Sequence, residues 1–379
     1  MKTDLARDTI FVALAGSQAH GTARSGSDVD LRGVCVVPLA KRLSLFETFE
    51  QWEGPLVGEL WSIVRERLRA HPTASEGLGV KTEAVVFDVA KFLRLCANAN
   101  PNALEILFAD ARDWLYESVA WKTIHAARFT FLTRRVQETY LGYAMAQLKK
   151  IRTHRSWLLN PPTHKPTRAE FGLPEVGAMS RDERNRIELS IAEKVRAYGI
   201  DDLDMPKHTR VSFEERLDAL MTDALATPED QLDERLRAVA SSALRLPAAV
   251  VEVLSAERRY RAAMSHWESY RSWQSQRNPA RAELESKFGY DTKHGMHLLR
   301  LMRTGLEVLE RGDLLVRRAD AAELSAVRDG ALGFEALVEE AEALRARMSK
   351  AAETCRLPRD SDKSAVDALA AEVMLGCSK

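Results

Sequence analysis

Two aspartates separated by a single residue, Asp28 and Asp30, follow a glycine–serine pair, Gly16-Ser17, with ten residues between the pairs. In an extended chain, residues two apart point to the same side, so the two carboxylates stand together. Like charges held that close repel, and a hard divalent cation such as Mg²⁺ is the usual neutralising partner. Gly16-Ser17 carries little bulk, which lets backbone N–H groups and the Ser17 hydroxyl approach a phosphate. The flanks fix the setting. Ile10 to Ala15 is a continuous apolar run that reads as a buried strand, and Leu31 to Val37 reads as another, so the loop joins two neighbouring strands. The plainer alternative is a surface turn in which Ser27 and Asp28 cap the next element.

A third strand is predicted over Lys81 to Phe87, where β-branched and aromatic residues alternate. Glu83, Val85 and Phe87 share one face of it, placing a carboxylate at its beginning. Asp88 competes with Glu83 as a site acid, but it immediately precedes the apolar run Val89 to Leu95 and reads as that helix's N-cap. Pro101 stops this helix and opens the next, Asn102 to Phe108. Within that second helix, Glu105 reads as a structural partner for an arginine or a backbone N–H rather than a functional acid. Trp61 to Leu68 reads as a short helix or strand, and Pro38 to Gly58 has no clean period.

The spacing of Gly16-Ser17 and Asp28-Val29-Asp30 resembles the signature of the polymerase-beta-like nucleotidyltransferase superfamily, whose members transfer a nucleoside monophosphate from an NTP to an acceptor. The run Lys91-Phe92-Leu93-Arg94-Leu95, followed by Asn100-Pro101-Asn102-Ala103-Leu104-Glu105, is similar to the RNA-repair-pathway branch. The resemblance implies that Asp28, Asp30 and Glu83 hold Mg²⁺ or Mn²⁺, and that Gly16, Ser17 and Ser27 bind the NTP. Most members carry Asp where this chain has Glu83. The resemblance further implies an RNA end as the acceptor. Nucleotidylation of a protein or a small molecule, or a non-catalytic nucleotide-binding or antitoxin-type module, are the alternatives.

Cations that suit such a substrate lie elsewhere in the chain. Lys149, Arg152 and Arg155 fall at i, i+3 and i+6 of a helical stretch and are candidates for RNA or phosphate contact; a solvated basic face is the alternative. After Asp291 or Thr292 as a cap, Lys293, His297 and Arg300 share one face of a helix. Lys293 and Arg300 are expected to bring positive charge to the triphosphate, or else to form an internal ion-pair network. His294 and His297 alone do not make a zinc site, because no further ligands accompany them. The segment from Phe288 to Arg303 is also similar to the C-terminal helical part of the same family, with Glu310 to Leu314 and Arg356-Leu357-Pro358 filling the family's later Gly-containing turn and Leu-Pro. An aromatic and basic stripe, from Arg258, Arg259, Tyr260 and Arg261 to His266, Trp267, Tyr270, Arg271 and Trp273, suits base stacking or, more commonly, core packing with snorkelling arginines.

The remainder sets the frame. The 379 residues exceed what one core usually organises. Lys plus Arg and Asp plus Glu balance at 55 each, so any nucleic-acid site must be a confined patch. The four cysteines, Cys35, Cys96, Cys355 and Cys377, are scattered without zinc or disulfide spacing. With no signal-peptide pattern and no apolar stretch of membrane-spanning length, a cytoplasmic location and no membrane partner are expected. The expected fold is α+β, a small mixed-sheet nucleotidyltransferase core with a large α-helical C-terminal region. Its expected parts are a catalytic core over 1–115, a basic helical segment over 116–160, a proline-rich linker and helical insertion over 161–287, and a C-terminal helical domain over 288–379. Within these, helices are read from Asp113 to Trp157, Arg181 to Tyr198, Ser212 to Ala226 and Leu246 to Lys287.

Overall fold

The computed structural model describes residues 4–74, 82–175, 180–197, 247–277 and 279–377. The chain divides into two compact units, Met1–Asn160 with Asn278–Lys379, and Pro161–Arg277. The first unit holds a mixed sheet of five strands among the described residues: β1 Thr9–Leu14, β2 Val29–Cys35, β3 Gln51–Gly54, β4 Thr82–Asp88 and β5 Trp114–Glu117. They lie in the order β3-β4-β2-β1-β5, with β2 and β4 parallel and the other neighbours antiparallel. The α+β expectation is met, with the sheet in the N-terminal part and helices dominating the rest.

Side-chain alternation assigns each face of the sheet. Val12, Leu14, Val29, Leu31, Cys35, Ala84 and Val86 point one way and pack with Leu60, Val64 and Leu68 of the Gly58–Ala70 helix. Phe11, Ala13 and Val34 point the other way into the main core, where Phe11 stacks on Trp121 at 3.7 Å between ring centroids. Caps close the helices on this side. Asp88 accepts from the Ala90 N–H at 3.0 Å to start the Val89–Ala97 helix, and Asn100 accepts from Ala103 at 3.2 Å with Pro101 in the first turn.

The long helices Val136–Leu159 and Thr292–Arg311 carry the same core onward. Gly305 sits where they cross, since a Cβ there would lie 2.9 Å from the Tyr140 Cβ and 2.8 Å from Met348. Only a glycine lets these backbones approach so closely. The C-terminal region is also tied to the sheet through Asp113, which is fully buried and receives Arg317 at 2.6 Å and His71 at 3.2 Å.

Several expectations are corrected. The stretch from Asp113 to Trp157 is not helical throughout, because Trp114–Glu117 forms β5 against β1. A four-residue strand is too short to impose a period on a neighbouring helical pattern. Gln51–Gly54 supplies an edge strand in a stretch without any period. Trp61 to Leu68 resolves as helix. The Leu246 to Lys287 helix is broken, running over Ala248–Gln276 and restarting at Pro279, whose ring cannot continue the first.

In the second unit, helices Arg181–Ala197 and Ala248–Gln276 are linked through buried Glu257, which pairs with Arg168 and, at 3.4 Å, with Arg184. Along the longer helix Trp267, Tyr270 and Trp273 form a ladder at 6.0 and 5.9 Å, with Arg271 over Trp267 and Arg277 over Trp273. The helix read from Ser212 to Ala226 lies outside the described residues. Cys35 and Cys96 are buried, and burial pushes the Cys35 thiol up to about 12, as expected of core fillers. Among the described residues no helix is long and apolar enough to cross a membrane.

Candidate active site

The parallel pairing of β2 and β4 sets Asp30 directly beside Glu83. Partners in register share a face, so Asp30 and Glu83 stand side by side, with Asp28 two residues ahead of Asp30 at the strand's mouth. Asp28 and Glu83 are exposed and Asp30 is half-buried. Asp88, the competing acid, pairs in register with Cys35 and points to the opposite face, where it caps its helix and binds Arg42 at 3.0 Å. The next residue on the acidic face is Arg32, whose guanidinium lies 3.9 Å from the Asp30 carboxylate.

The Gly16-Ser17 pair begins a one-turn helix, Gly16–His20, rather than a simple turn. Gly16 has φ +59°, and a Cβ on it would fall 2.5 Å from Asp30 Oδ2. Glycine is therefore required twice over, for the left-handed backbone and for the space above the carboxylate. Replacing Gly16 with Ala is expected to displace the Asp30 carboxylate and cost activity by roughly 10²-fold, the scale of a 1 Å misplacement. Thermal melts measured beside turnover separate this loss from unfolding.

The loop after this turn is held by the C-terminal helical region. Arg318 N–H donates to the His20 carbonyl at 3.2 Å, Arg328 to the Thr22 carbonyl at 3.5 Å, and Arg24 pairs with Asp329 at 2.7 Å. Ser27 closes the loop on itself, its hydroxyl accepting from the Arg24 N–H at 2.9 Å. Two cavities result. One, of about 420 Å³, is lined by Gly16, Ser17, Arg24, Ser27, Asp28, Asp30, Lys293 and Arg328, together with the first residues of the Thr292–Arg311 helix. The second, of about 370 Å³, runs over the sheet face past Arg32, Gln51, Glu53, Val85 and Phe87 to Glu105 and Arg300. Gly16 and His297 line both.

The donors offered at the acidic face are carboxylate oxygens, the hard ligands that suit Mg²⁺ or Mn²⁺, and the bare Gly16 Cα leaves space over one of them. The residues present fit such an ion. Convergent cations and hydroxyls in the same cavity suit phosphate oxygens.

The structure brings Gly16, Ser17, Ser27, Asp28, Asp30 and Lys293 to one cavity. Glu83 lines neither cavity, but strand register sets it beside Asp30. Arg300 lines the second cavity, but it is buried and its guanidinium is engaged by Glu105, which also accepts from His20 at 3.0 Å. Burial raises the Glu105 carboxyl, yet Arg300 and His20 outweigh it and hold it well below the carboxylate range. Glu105 is thus a structural acid, as its helical setting implied. Lys149, Arg152 and Arg155 line neither of these two cavities. Arg155 donates to the Gly289 carbonyl at 2.8 Å, pairs with Glu335 at 3.5 Å and lies over the Phe334 ring, joining three segments of the helical region.

His297, Arg24 and Arg328 are cavity residues that sequence reasoning did not commit to. His297 had a signal, four residues after Lys293 on the same helix face. Arg24 and Arg328 had none, since they converge only through tertiary packing.

The chain matches no curated protein and no solved structure. A family model does match, that of the RNA repair pathway DNA polymerase beta family. The match covers both acidic strands, Gly16-Ser17 and the helix bearing Lys149 to Arg155, and ends short of the segment from Phe288. Over residues 2–159, fewer than half of its 379 positions, the chain is thus similar to that family.

Proposed function

We propose that the protein is a nucleotidyltransferase that moves a nucleoside monophosphate from an NTP to an acceptor hydroxyl, with an RNA end as the acceptor. The observation that carries this reading is the register of Asp30 with Glu83, beside Asp28, at a cavity that also holds Gly16-Ser17 and Lys293. Asp28, Asp30 and Glu83 would hold Mg²⁺ or Mn²⁺, which when bound supplies electrostatic stabilisation of the charge on the phosphates. The chain's own groups do the rest. Backbone and hydroxyl of Gly16-Ser17, with Ser27, grip the β- and γ-phosphates, and Lys293 adds positive charge where pyrophosphate leaves. Glu83 positions the acceptor hydroxyl for in-line attack on the α-phosphorus and takes its proton. Arg300, through its pair with Glu105, fixes the wall of the second cavity. RNA is favoured by the family of residues 2–159. Lys149 and Arg152 on the Val136–Leu159 helix are the proposed outer contacts for its backbone.

The test is incubation of the protein with each α-labelled NTP, Mg²⁺ or Mn²⁺, and tRNA, RNA oligonucleotides or a protein lysate. Label in an RNA band is expected. Label confined to protein bands would move the reading to protein nucleotidylation, and nucleotide binding without turnover would move it to a non-catalytic module.

The site also sets a pH dependence. Burial, then Arg300, pushes His297 down to about 3 and His20 below its ordinary value. Both are therefore neutral at pH 7. The unfolded chain binds these protons below about pH 6.5, so the stability they permit is complete above that value and is lost as pH falls toward the folded values. For His297 the expected slope approaches about 1.4 kcal/mol per pH unit between about 6.5 and 3. His297→Gln should flatten the slope in denaturant melts taken across this range; an unchanged slope would refute it.

A further inference from the structure

His154 from the Val136–Leu159 helix meets Asp291 and His294 at the start of the Thr292–Arg311 helix. One ligand atom from each lies within 4.8 Å of the others. The geometry points to a transition-metal site of the Zn²⁺ class, separate from the carboxylates of the active-site face and independent of the reading proposed for them.

Each ligand is already orientated. Asp291 divides its two oxygens: Oδ1 accepts from the Lys293 and His294 N–H groups at 3.0 and 3.1 Å, while Oδ2 faces His294 Nε2 at 3.6 Å. That separation is close to the roughly 3.4 Å between donors that tetrahedral coordination at about 2.1 Å requires. On its other side, the His294 Nδ1 is 2.9 Å from Gln147 Oε1. With Nδ1–H donating to that amide oxygen, the Nε2 lone pair turns toward Asp291 Oδ2, the arrangement by which an outer hydrogen bond fixes a metal-binding tautomer. His154 is steadied by stacking on Trp157 at 5.5 Å, and its ring lies 5.9 Å from that of His294. Two nitrogens and one carboxylate oxygen suit zinc better than Mg²⁺. Asp291 is buried, so an ion there neutralises a charge held away from water.

The placement gives the ion a consequence. Asp291 also lines the active-site cavity, and Lys293 and His297 follow it on the same helix. An ion held by His154, Asp291 and His294 would pin the first turn of that helix to its neighbour and so fix the position of Lys293. Coordination links two rigid helices, which is how structural zinc stabilises small helical junctions.

Chelator-stripped full-length protein, dialysed against Zn²⁺ or Co²⁺ without nucleotide, tests the site. In the Asp28→Ala/Asp30→Ala background, which removes the carboxylate site, elemental mass spectrometry is expected to find one ion per chain, and Co²⁺ to show the strong visible absorption of four-coordinate nitrogen and oxygen ligation. Adding His154→Ala or His294→Ala to that background should abolish uptake. Adding Gln147→Ala, which spares all three ligands, should weaken Zn²⁺ affinity by about 10- to 100-fold. Absence of stoichiometric uptake by the double aspartate variant, unchanged affinity on adding Gln147→Ala, or uptake retained on adding His154→Ala or His294→Ala would each overturn the proposal.

Discussion

Asp28→Ala combined with Asp30→Ala is expected to lower nucleotide transfer by at least about 10³-fold while leaving the fold intact. The reason for the large effect is that both carboxylates, with Glu83 in register beside Asp30, supply the hard donors of the site. Asp88 cannot substitute, because it faces the other side of the sheet and is committed to the Ala90 N–H and to Arg42. Stability should move in the opposite direction from activity. In metal-free buffer, removing clustered like charges relieves repulsion, so the melting transition is expected to stay in place or rise. A purely structural role for these aspartates predicts the reverse pairing, a lower melting transition with proportionate loss of activity.

The second large effect is on stability. Arg300→Met is expected to destabilise the protein by about 3–5 kcal/mol, because it removes the cation that compensates the Glu105 carboxylate and leaves that charge to His20. Adding Glu105→Gln should restore part of the loss, since the removed charge no longer needs compensation. The pH dependence should change with it. In the wild type the Glu105 carboxyl is held below its ordinary value, so its contribution is present above the unfolded value of about 4.3 and is lost as pH falls through the folded value. Without Arg300, burial dominates and this acid-sensitive part of the profile should disappear. Urea melts of the two single variants and the double variant, at neutral and acidic pH, measure both outcomes; simple additivity of the two substitutions would contradict the pairing.

How much of this was legible in the sequence depends on the range of the interactions involved. The strand–loop–strand unit around Gly16-Ser17 and Asp28-Val29-Asp30 was readable because apolar runs and fixed spacing are local. Asp88 and Asp291 were readable as caps for the same reason. Glu83 could be set on a strand face, but its position beside Asp30 depends on a parallel pairing across some fifty residues, which no local pattern encodes. The short strands Gln51–Gly54 and Trp114–Glu117 escaped because they borrow their stability from β4 and β1. Arg300 illustrates the limit most clearly. Its helix face was correct, yet whether it meets a phosphate or a carboxylate depended on where Glu105 lay, almost two hundred positions away. The same limit hid His154, whose approach to Asp291 and His294 turns two adjacent histidine-bearing helices into a set of three ligand residues.

Transfer of a nucleoside monophosphate at this acidic face, with release of pyrophosphate, is tested most directly by supplying one NTP labelled on either the α- or the γ-phosphate. With Mg²⁺ and RNA present, the fate of each label identifies the bond that breaks. Nucleotidyl transfer predicts α-label in RNA and γ-label in pyrophosphate, both dependent on Asp30. Transfer of the γ-label to RNA, or release of γ-label as inorganic phosphate without α-label incorporation, would contradict it.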